Sequence, residues 1–479
     1  MIAVVYVFSF FLAALSLQLL ATGALTAASG DLANAPAFLI AAALWLFLAG
    51  AMNLALRGRE RRLKARERFL LALLLFTVLP LFACLPVFIL VPQAGFSNTY
   101  FEAVSAFTTT GWTALPNAEL LPKGVVVWRA LLQWMGGATF LLVVIFVLAP
   151  SRVGGLPDSQ GSLIDYTGQV ERQRFGQALA RVLPLYAAIT SLCFILLALT
   201  GLAPLDAFAL ATAAISTSGF TAHSAPIGDY LSDAGVWIVT LFSAVSATSF
   251  LWLRRALRGD RAALGHRESY YLLGMVMVFG LLTTDMLVQS GGGGAFAALR
   301  DGFSIAASII TTSGLEARTG GHATLPYGML LTLLFIGGAS FSTAGGLKLF
   351  RVGAMAVQSG REMVRLVYPH AIRSARFGSQ PYNIQLMKAV WSLMFALLVL
   401  ALAVSAALGF AEIPVDQAVL GGFGAVSNIS IGLFGEGNTL VRFQELPEVT
   451  KLTLCLGMAL GRVEVIAAVA VLYLPFWRG

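Results

Sequence analysis

The sequence predicts an all-α integral membrane protein. Four pseudo-repeats of helix, re-entrant loop and helix surround one axis, with two extra N-terminal transmembrane helices in front. Three observations carry this. Hydrophobic residues make up 58% of the 479-residue chain and charged residues only 11%, against about 25% charged in soluble domains. Apolar runs of about 20 residues, long enough to cross the hydrocarbon, recur along it. Four times, an apolar segment too short to span ends in a polar hairpin. The hairpins are Thr108-Thr109-Thr110-Gly111-Trp112, Ser216-Thr217-Ser218-Gly219-Phe220, Thr311-Thr312-Ser313-Gly314-Leu315 and Asn428-Ile429-Ser430-Ile431-Gly432-Leu433.

The elements follow in order. Residues 1–68 hold two spans, 2–22 and 36–56, and a basic linker from Arg57 to Arg68. The first run lacks a basic n-region and a cleavage site, so it reads as a retained helix. Repeat 1 (69–150) places spans 69–92 and 123–149 around the hairpin segment 98–112. Repeat 2 (151–267) places 179–200 and 232–254 around 205–220. Repeat 3 (268–383) places 268–289 and 325–353 around 296–315, and repeat 4 (384–479) places 384–410 and 447–475 around 415–433.

The net charge of +8 does not point to nucleic acid, because of where it sits. Basic residues cluster in four loops: Arg57 to Arg68, Arg152 to Arg181, Arg254 to Arg267, and Arg351 to Lys388. The alternate loops hold few, among them Lys123, Arg300, Arg318 and Arg442. The positive-inside rule puts the basic loops and both termini in the cytoplasm and the hairpins on the outer side. Loops 57–68 and 351–388 suit either an acidic partner ring or anionic lipid. Cys84, Cys193 and Cys455 lie within apolar runs and read as packing residues. The four His are scattered, which argues against a His-ligated metal or haem. The run Gly291 to Gly294 follows no strand and precedes no Lys-Ser/Thr, so it reads as a loop and not a phosphate cradle. The soluble stretch 354–383 is too short for a nucleotide-binding domain, and no organic cofactor is expected.

Re-entrant half-helices direct their negative C-terminal ends at the axis, which favours a cation. Backbone carbonyls there replace an ion's hydration shell, and glycine permits the angles a carbonyl ring needs. The reading is a potassium pore with Gly111, Gly219, Gly314 and Gly432 in one layer. Thr110, Ser218, Ser313 and Ile431 supply the next carbonyls, and the hydroxyls of Thr109, Thr217, Thr312 and Ser430 line the inner edge. Glu102, Asp206, Asp301 and Asp416, near the starts of the half-helices, read either as caps for the helix dipole or as an acidic vestibule. The span 325–353 is interrupted by Gly337, Gly338, Ser340, Phe341, Ser342, Thr343, Gly345 and Gly346, too glycine-rich for a lipid-facing helix. This segment is expected to be a mobile gate beneath the loops, with a glycine-rich packing face as the alternative. Lys348 follows it, near the cytoplasmic mouth or paired with an acid. Arg462, within the last span, costs about 3 kcal/mol or more at membrane depth. It is either a structural partner of Glu464 or another helix end, or a positive barrier to conduction.

At this point the chain resembles the superfamily of K⁺ transporters that includes Trk, Ktr and plant HKT proteins, and most of all its bacterial TrkH type. The resemblance covers essentially the whole chain. It rests on the stretches Phe101 to Gly111, Gln133 to Gly137, Gly345 to Lys348, Tyr368 to Ala371 and Gly461 to Glu464. It implies a homodimer in the bacterial cytoplasmic membrane, with one pore per protomer admitting K⁺ and Rb⁺. It also implies a cytoplasmic ring of nucleotide-binding subunits of the TrkA type, an intramembrane gating loop at 337–347, and a conduction-barrier role for Arg462. Glycine in all four loops is like the K⁺-selective members. Phe341, where a small residue is usual, and the fourth loop depart from the pattern. A Na⁺-permeable channel or symporter of the same architecture is the alternative. An intramembrane serine protease lacks a placed Ser-His or Ser-Lys pair, and a receptor has no use for four re-entrant loops, so no enzyme is expected.

Overall fold

The computed structural model describes residues 2–57, 63–148, 171–261, 265–290, 294–368, 376–377, 380–381, 384–435 and 440–472. Several sequence features lie outside the described residues: positions 58–62 of the first basic linker, most of the loop from Arg152, Gly291 to Gly293, and Pro369 to Ala371. Among the described residues seven helices are long and apolar enough to cross a membrane, or nine if two sharply bent pairs each count as one span. The only departure from helix and loop described there is a short antiparallel pairing of Arg376–Phe377 with Gln380–Pro381, beside one isolated bridge between Phe434 and Leu440.

The two N-terminal helices, Ile2–Ala28 and Ala35–Leu56, pack on each other. The first is wedged against Ala65–Thr77 and Lys123–Val143, so two-thirds of it is buried; the second is only 17% buried and presents an apolar outer face. The four short segments form half-helices Gly95–Phe107, Pro204–Ser216, Ala295–Ile310 and Val415–Ser427. The second, third and fourth pack on the long helix before them, and the first on Lys123–Val143 after it. Close approach is required there. Gly136 in Lys123–Val143 forms a notch for the last carbonyl of the first half-helix, and a Cβ at that position would collide with the Phe107 carbonyl.

Several spans read as continuous are broken. The expected span 69–92 is three pieces, Ala65–Thr77, Leu79–Ala83 and Leu85–Leu90, because Pro80 and Pro86 each remove a backbone donor. The expected span 232–254 bends by 105° between Asp233–Ala247 and Phe250–Leu257, and the expected span 447–475 bends by 102° between Glu448–Val463 and the helix from Val465. No proline or glycine marks either bend; Glu464 makes the second with φ of 65°. The break at 337–346 lies where the sequence puts it, between Tyr327–Ile336 and Leu349–Val367.

Gly136→Ala is expected to lower stability by about 1–3 kcal/mol, the usual cost of overpacking, because backbone, not a flexible side chain, must yield. Thermal unfolding of the detergent-solubilised protein measures it; an unchanged midpoint would mean that the half-helix is not seated in this notch.

Candidate functional site: the four loops and the linker beneath them

Each half-helix ends in the same local geometry. A single residue takes the left-handed conformation: Thr109 (φ 56°), Thr217 (53°), Thr312 (57°) and Asn428 (54°). The next N–H then reaches back five residues to a helix carbonyl. Thr110 donates to Ser105 (2.9 Å), Ser218 to Ala213 (2.9 Å), Ser313 to Ser308 (3.0 Å) and Ile429 to Gly424 (3.0 Å). This is the Schellman-like way of satisfying the last carbonyls of a helix. It fixes the register of the four loops without reference to residue type.

In that register the next positions are Gly111, Gly219, Gly314 and Ser430. All four are half-buried, whereas Thr110, Ser218, Ser313 and Ile429 before them are buried. They also meet one another. A Cβ on Gly111 would lie 2.6 Å from the Gly219 Cα, and one on Gly314 would lie 2.9 Å from the Ser430 nitrogen. The fourth loop therefore corrects the sequence reading. Ser430, not Gly432, stands with the three glycines, and Ile429, not Ile431, precedes it. The Ile431 carbonyl accepts from Trp112 Nε1 at 3.0 Å, and Gly432 faces Phe434 and Leu440. The physical reason is local. Gly111 and Gly314 have φ of 95° and 70° and need glycine, but Ser430 is not left-handed, so a side chain is tolerated there.

Different chemistry braces each loop. Behind the first, Glu102 and Arg129 form a buried ion pair at 2.6 Å. Glu102 also accepts from the Ala114 N–H at 2.9 Å, and Arg129 donates to Thr113 Oγ1 at 2.8 Å. Behind the second, Gln133 Nε2 donates to Thr212 Oγ1 and the Phe220 carbonyl, each at 3.2 Å. In the third, His322 lies 3.0 Å from Ser308 Oγ and 2.9 Å from Glu316; the Ser308 carbonyl is the one that receives Ser313. In the fourth, Asn428 Nδ2 donates to Met458 O (2.8 Å) and Thr110 Oγ1 (3.2 Å). Glu102 and Asp301 lie in the second turns of their half-helices, so capping does not describe them; Asp301 pairs with Arg300 at 2.8 Å. Asp206 and Asp416 are in the first turn as expected.

The segment Gly337, Gly338, Ser340, Ser342, Thr343, Gly345, Gly346 and Lys348 is a folded linker pressed against the undersides of the loops. The Gly345 N–H donates to Thr312 Oγ1 at 2.7 Å, and Thr343 Oγ1 donates to the Ile215 carbonyl at 3.1 Å. Of the three threonines expected on the inner edge, Thr109 and Thr312 accept from groups beneath, and Thr217 turns its hydroxyl to the Ser216 carbonyl. Lys348 is buried, donating Nζ to the Ala344 carbonyl and lying 5.1 Å from the Phe140 ring. It is not at a mouth.

Arg462 is fully buried and joins the two layers. Nε donates to the Thr108 carbonyl at 2.7 Å, one terminal nitrogen donates to the Thr343 carbonyl at 2.6 Å, and the other donates to Thr109 Oγ1. Its guanidinium carbon stands 4.5 Å over the Phe140 ring. The reading that pairs it with Glu464 fails, because Glu464 pairs with Arg351. Sequence reasoning passed over Arg129, Phe140 and Glu268, counted His322 only among the scattered histidines, and put Arg351 at the start of a cytoplasmic basic loop, whereas the structure buries it against Glu464. Each is a lone polar or aromatic residue in or beside an apolar helix, and only the fold gives it a partner.

The profile of the TrkH family, described as cation transport protein, matches residues 35–282 and 308–475. The chain is 30% identical over 418 residues to the Trk system potassium uptake protein TrkI of Halomonas elongata, covering 87% of this chain and 85% of that one. To the Trk system potassium uptake protein TrkH of Escherichia coli it is 28% identical over 439 residues, 88% of each chain. A crystal structure of the potassium transporter TrkH from Vibrio parahaemolyticus superposes with a TM-score of 0.88 at 25% identity, covering 100% of this chain and 99% of that one.

Glu316 yields a pH prediction. Burial pushes its carboxyl up, but His322 and the Gly320 N–H outweigh it, and the value lies below the ordinary 4.5. A lowered folded value means the contribution is complete above 4.5 and is lost as pH falls through the folded value. Glu316→Gln is therefore expected to cost about 1 kcal/mol at neutral pH and to flatten the acid limb of a stability profile taken from pH 7 downwards. Parallel profiles for both proteins would reject this brace.

Proposed function

Because the chain belongs to the TrkH family of cation transport proteins, we propose that it carries K⁺ across the bacterial cytoplasmic membrane through the axis ringed by its four loops. The observation that carries this is the common register of those loops: four half-helices end in one geometry and bring Gly111, Gly219, Gly314 and Ser430 together. Helix C-termini bear partial negative charge, so four directed at one point favour a cation. Carbonyls of Thr110, Gly111, Ser218, Gly219, Ser313, Gly314, Ile429 and Ser430 then replace the hydration shell. No covalent chemistry is involved. Permeation is driven by the electrical gradient, alone or coupled to another ion.

The linker 337–348 is the gate in this reading, held closed against the loops by Thr312, Ile215 and Arg462. Arg462 places a fixed positive charge directly beneath the first loop and so raises the barrier to a passing cation. The charge distribution supports an orientation with the hairpins outward and both termini in the cytoplasm. The basic loops on that face suit membrane lipid and a cytoplasmic nucleotide-binding subunit of the TrkA type. A homodimer, with one pore per protomer, completes the proposal.

Ser430 favours a second reading, a Na⁺-permeable pore. Its side chain abuts the backbone of Gly219 and Gly314, where the other loops present only hydrogen. It narrows the layer and adds a hydroxyl oxygen, and both suit a smaller ion.

Purified protein in liposomes is expected to pass K⁺ and Rb⁺ well above Na⁺ and Li⁺. Arg462→Ala should raise K⁺ flux by about tenfold, equivalent to about 1.4 kcal/mol off the barrier; unchanged flux in the folded variant removes the barrier role. Ser430→Gly should raise the K⁺ to Na⁺ flux ratio several-fold. A ratio that does not move means that this hydroxyl does not face the ion.

A further inference from the structure

Glu268 stands in the first turn of the span Arg267–Gln289 and is buried. A buried carboxylate is costly unless its oxygens are satisfied. Here one oxygen accepts two backbone N–H groups, from Ser340 at 2.6 Å and from Phe350 at 3.0 Å. Ser340 lies in the first limb of the glycine-rich linker, and Phe350 lies at the head of the helix Leu349–Val367 that follows it. A single oxygen thus straps the two ends of the linker together. Lys348, also buried, lies within electrostatic reach of the same carboxylate.

Neighbouring contacts run the same way. The Ala339 N–H donates to the Ala247 carbonyl and the Phe250 N–H to the Phe341 carbonyl, each at 2.9 Å. The Ser249 N–H donates to Ser269 Oγ at 3.2 Å. The bend at 248–249, the head of the span Arg267–Gln289 and the linker therefore form one hydrogen-bonded knot. Of its members, Glu268 is the acidic side chain.

We propose that Glu268 is a positioning residue that latches the linker in its closed arrangement. The inference rests on reading that linker as the gate. A group shifts a conformational equilibrium only through interactions that differ between the two states. The two backbone bonds of Glu268 go to the linker and the helix it leads into, and withdrawal of the linker from the loops breaks them. Loss of Glu268 therefore favours the open state and leaves the four loops, with their selectivity, untouched.

The test combines flux with a readout that needs no conduction. In liposomes Glu268→Ala is expected to raise K⁺ and Rb⁺ flux about tenfold, the effect of losing charge-assisted bonds from one state only. The K⁺ to Na⁺ ratio should not change. Glu268→Gln keeps an acceptor oxygen and should fall between wild type and Glu268→Ala. It carries the same comparison if the alanine variant fails to fold. Separately, Ser342→Cys is placed in a background with Cys84, Cys193 and Cys455 replaced by alanine, and its labelling by a hydrophilic maleimide is timed. Ser342 is fully buried, so labelling should accelerate about tenfold when Glu268→Ala is added. Unchanged labelling overturns the latch. If Arg462→Ala raises flux but Glu268→Ala does not, the latch fails and the permeation reading stands. If labelling accelerates while no variant passes any cation, the latch stands and the permeation reading fails.

Discussion

A backbone group freed inside an apolar slab has no water to bind, so each break in a transmembrane helix must be answered by another piece of the chain. This constraint organises the molecule. The helix broken after Ala247 exposes a carbonyl and, at Phe250, an N–H; the linker supplies Ala339 N–H to the first and Phe341 O to the second. The linker exposes its own donors, and Thr312 Oγ1 and the Glu268 carboxylate take them. The last helix turns at Glu464, whose left-handed backbone is strained for a side chain, and that residue is fixed by Arg351 from the helix that follows the linker. Three breaks from three repeats are thus mutually satisfied. None of them is tolerable alone.

The same constraint explains what was legible in the sequence. The four half-helices were, because each pairs an apolar segment too short to span with Ser, Thr and Gly at its end. The linker was, because glycine at Gly337, Gly338, Gly345 and Gly346 contradicts a lipid-facing helix. The bends at 248–249 and at Glu464 were not. No proline or glycine stands at either, and partners from another repeat answer each bend: Ala339 and Phe341 at the first and Arg351 at the second. The fourth loop misled for a different reason. Gly432 looks like the counterpart of Gly111, Gly219 and Gly314, but the shared feature is the left-handed residue two places earlier. Asn428 fills that role because asparagine tolerates the conformation. A register set on the left-handed residue, Thr109, Thr217, Thr312 and Asn428, would have put Ser430 in line from the start.

The loops share a backbone but not their supports. An ion pair holds the first, an amide the second, a Ser–His–Glu chain the third and an asparagine the fourth. Each device ties its loop to a neighbouring element through buried polar bonds, so all four serve one end. They differ in response. The Glu102–Arg129 pair is sealed, and breaking it leaves an uncompensated charge that costs about 3–5 kcal/mol. In the third loop Glu316 stands partly exposed beside buried His322, and its carboxylate is open to protonation as the pH falls. A ring of four identical subunits repeats one brace; a single chain is free to make one quadrant permanent and another adjustable.

In the proposed function, filter and gate are consequently not separate parts. Arg462 donates to the first loop through Thr108 and Thr109 and to the linker through Thr343. Thr312 belongs to the third loop and accepts from Gly345 of the linker. Withdrawing the linker must break these links and the bond from Thr343 to the Ile215 carbonyl, leaving Arg462 short of one acceptor and Thr312 short of one donor while the loops keep their own braces. The guanidinium then has to find water or turn away, and an open path beneath the loops supplies that water. On that proposal, opening and hydration of Arg462 are one event. In the proposed function, the charge blocks the path when dry and is screened once ions and water enter, so its barrier falls on opening.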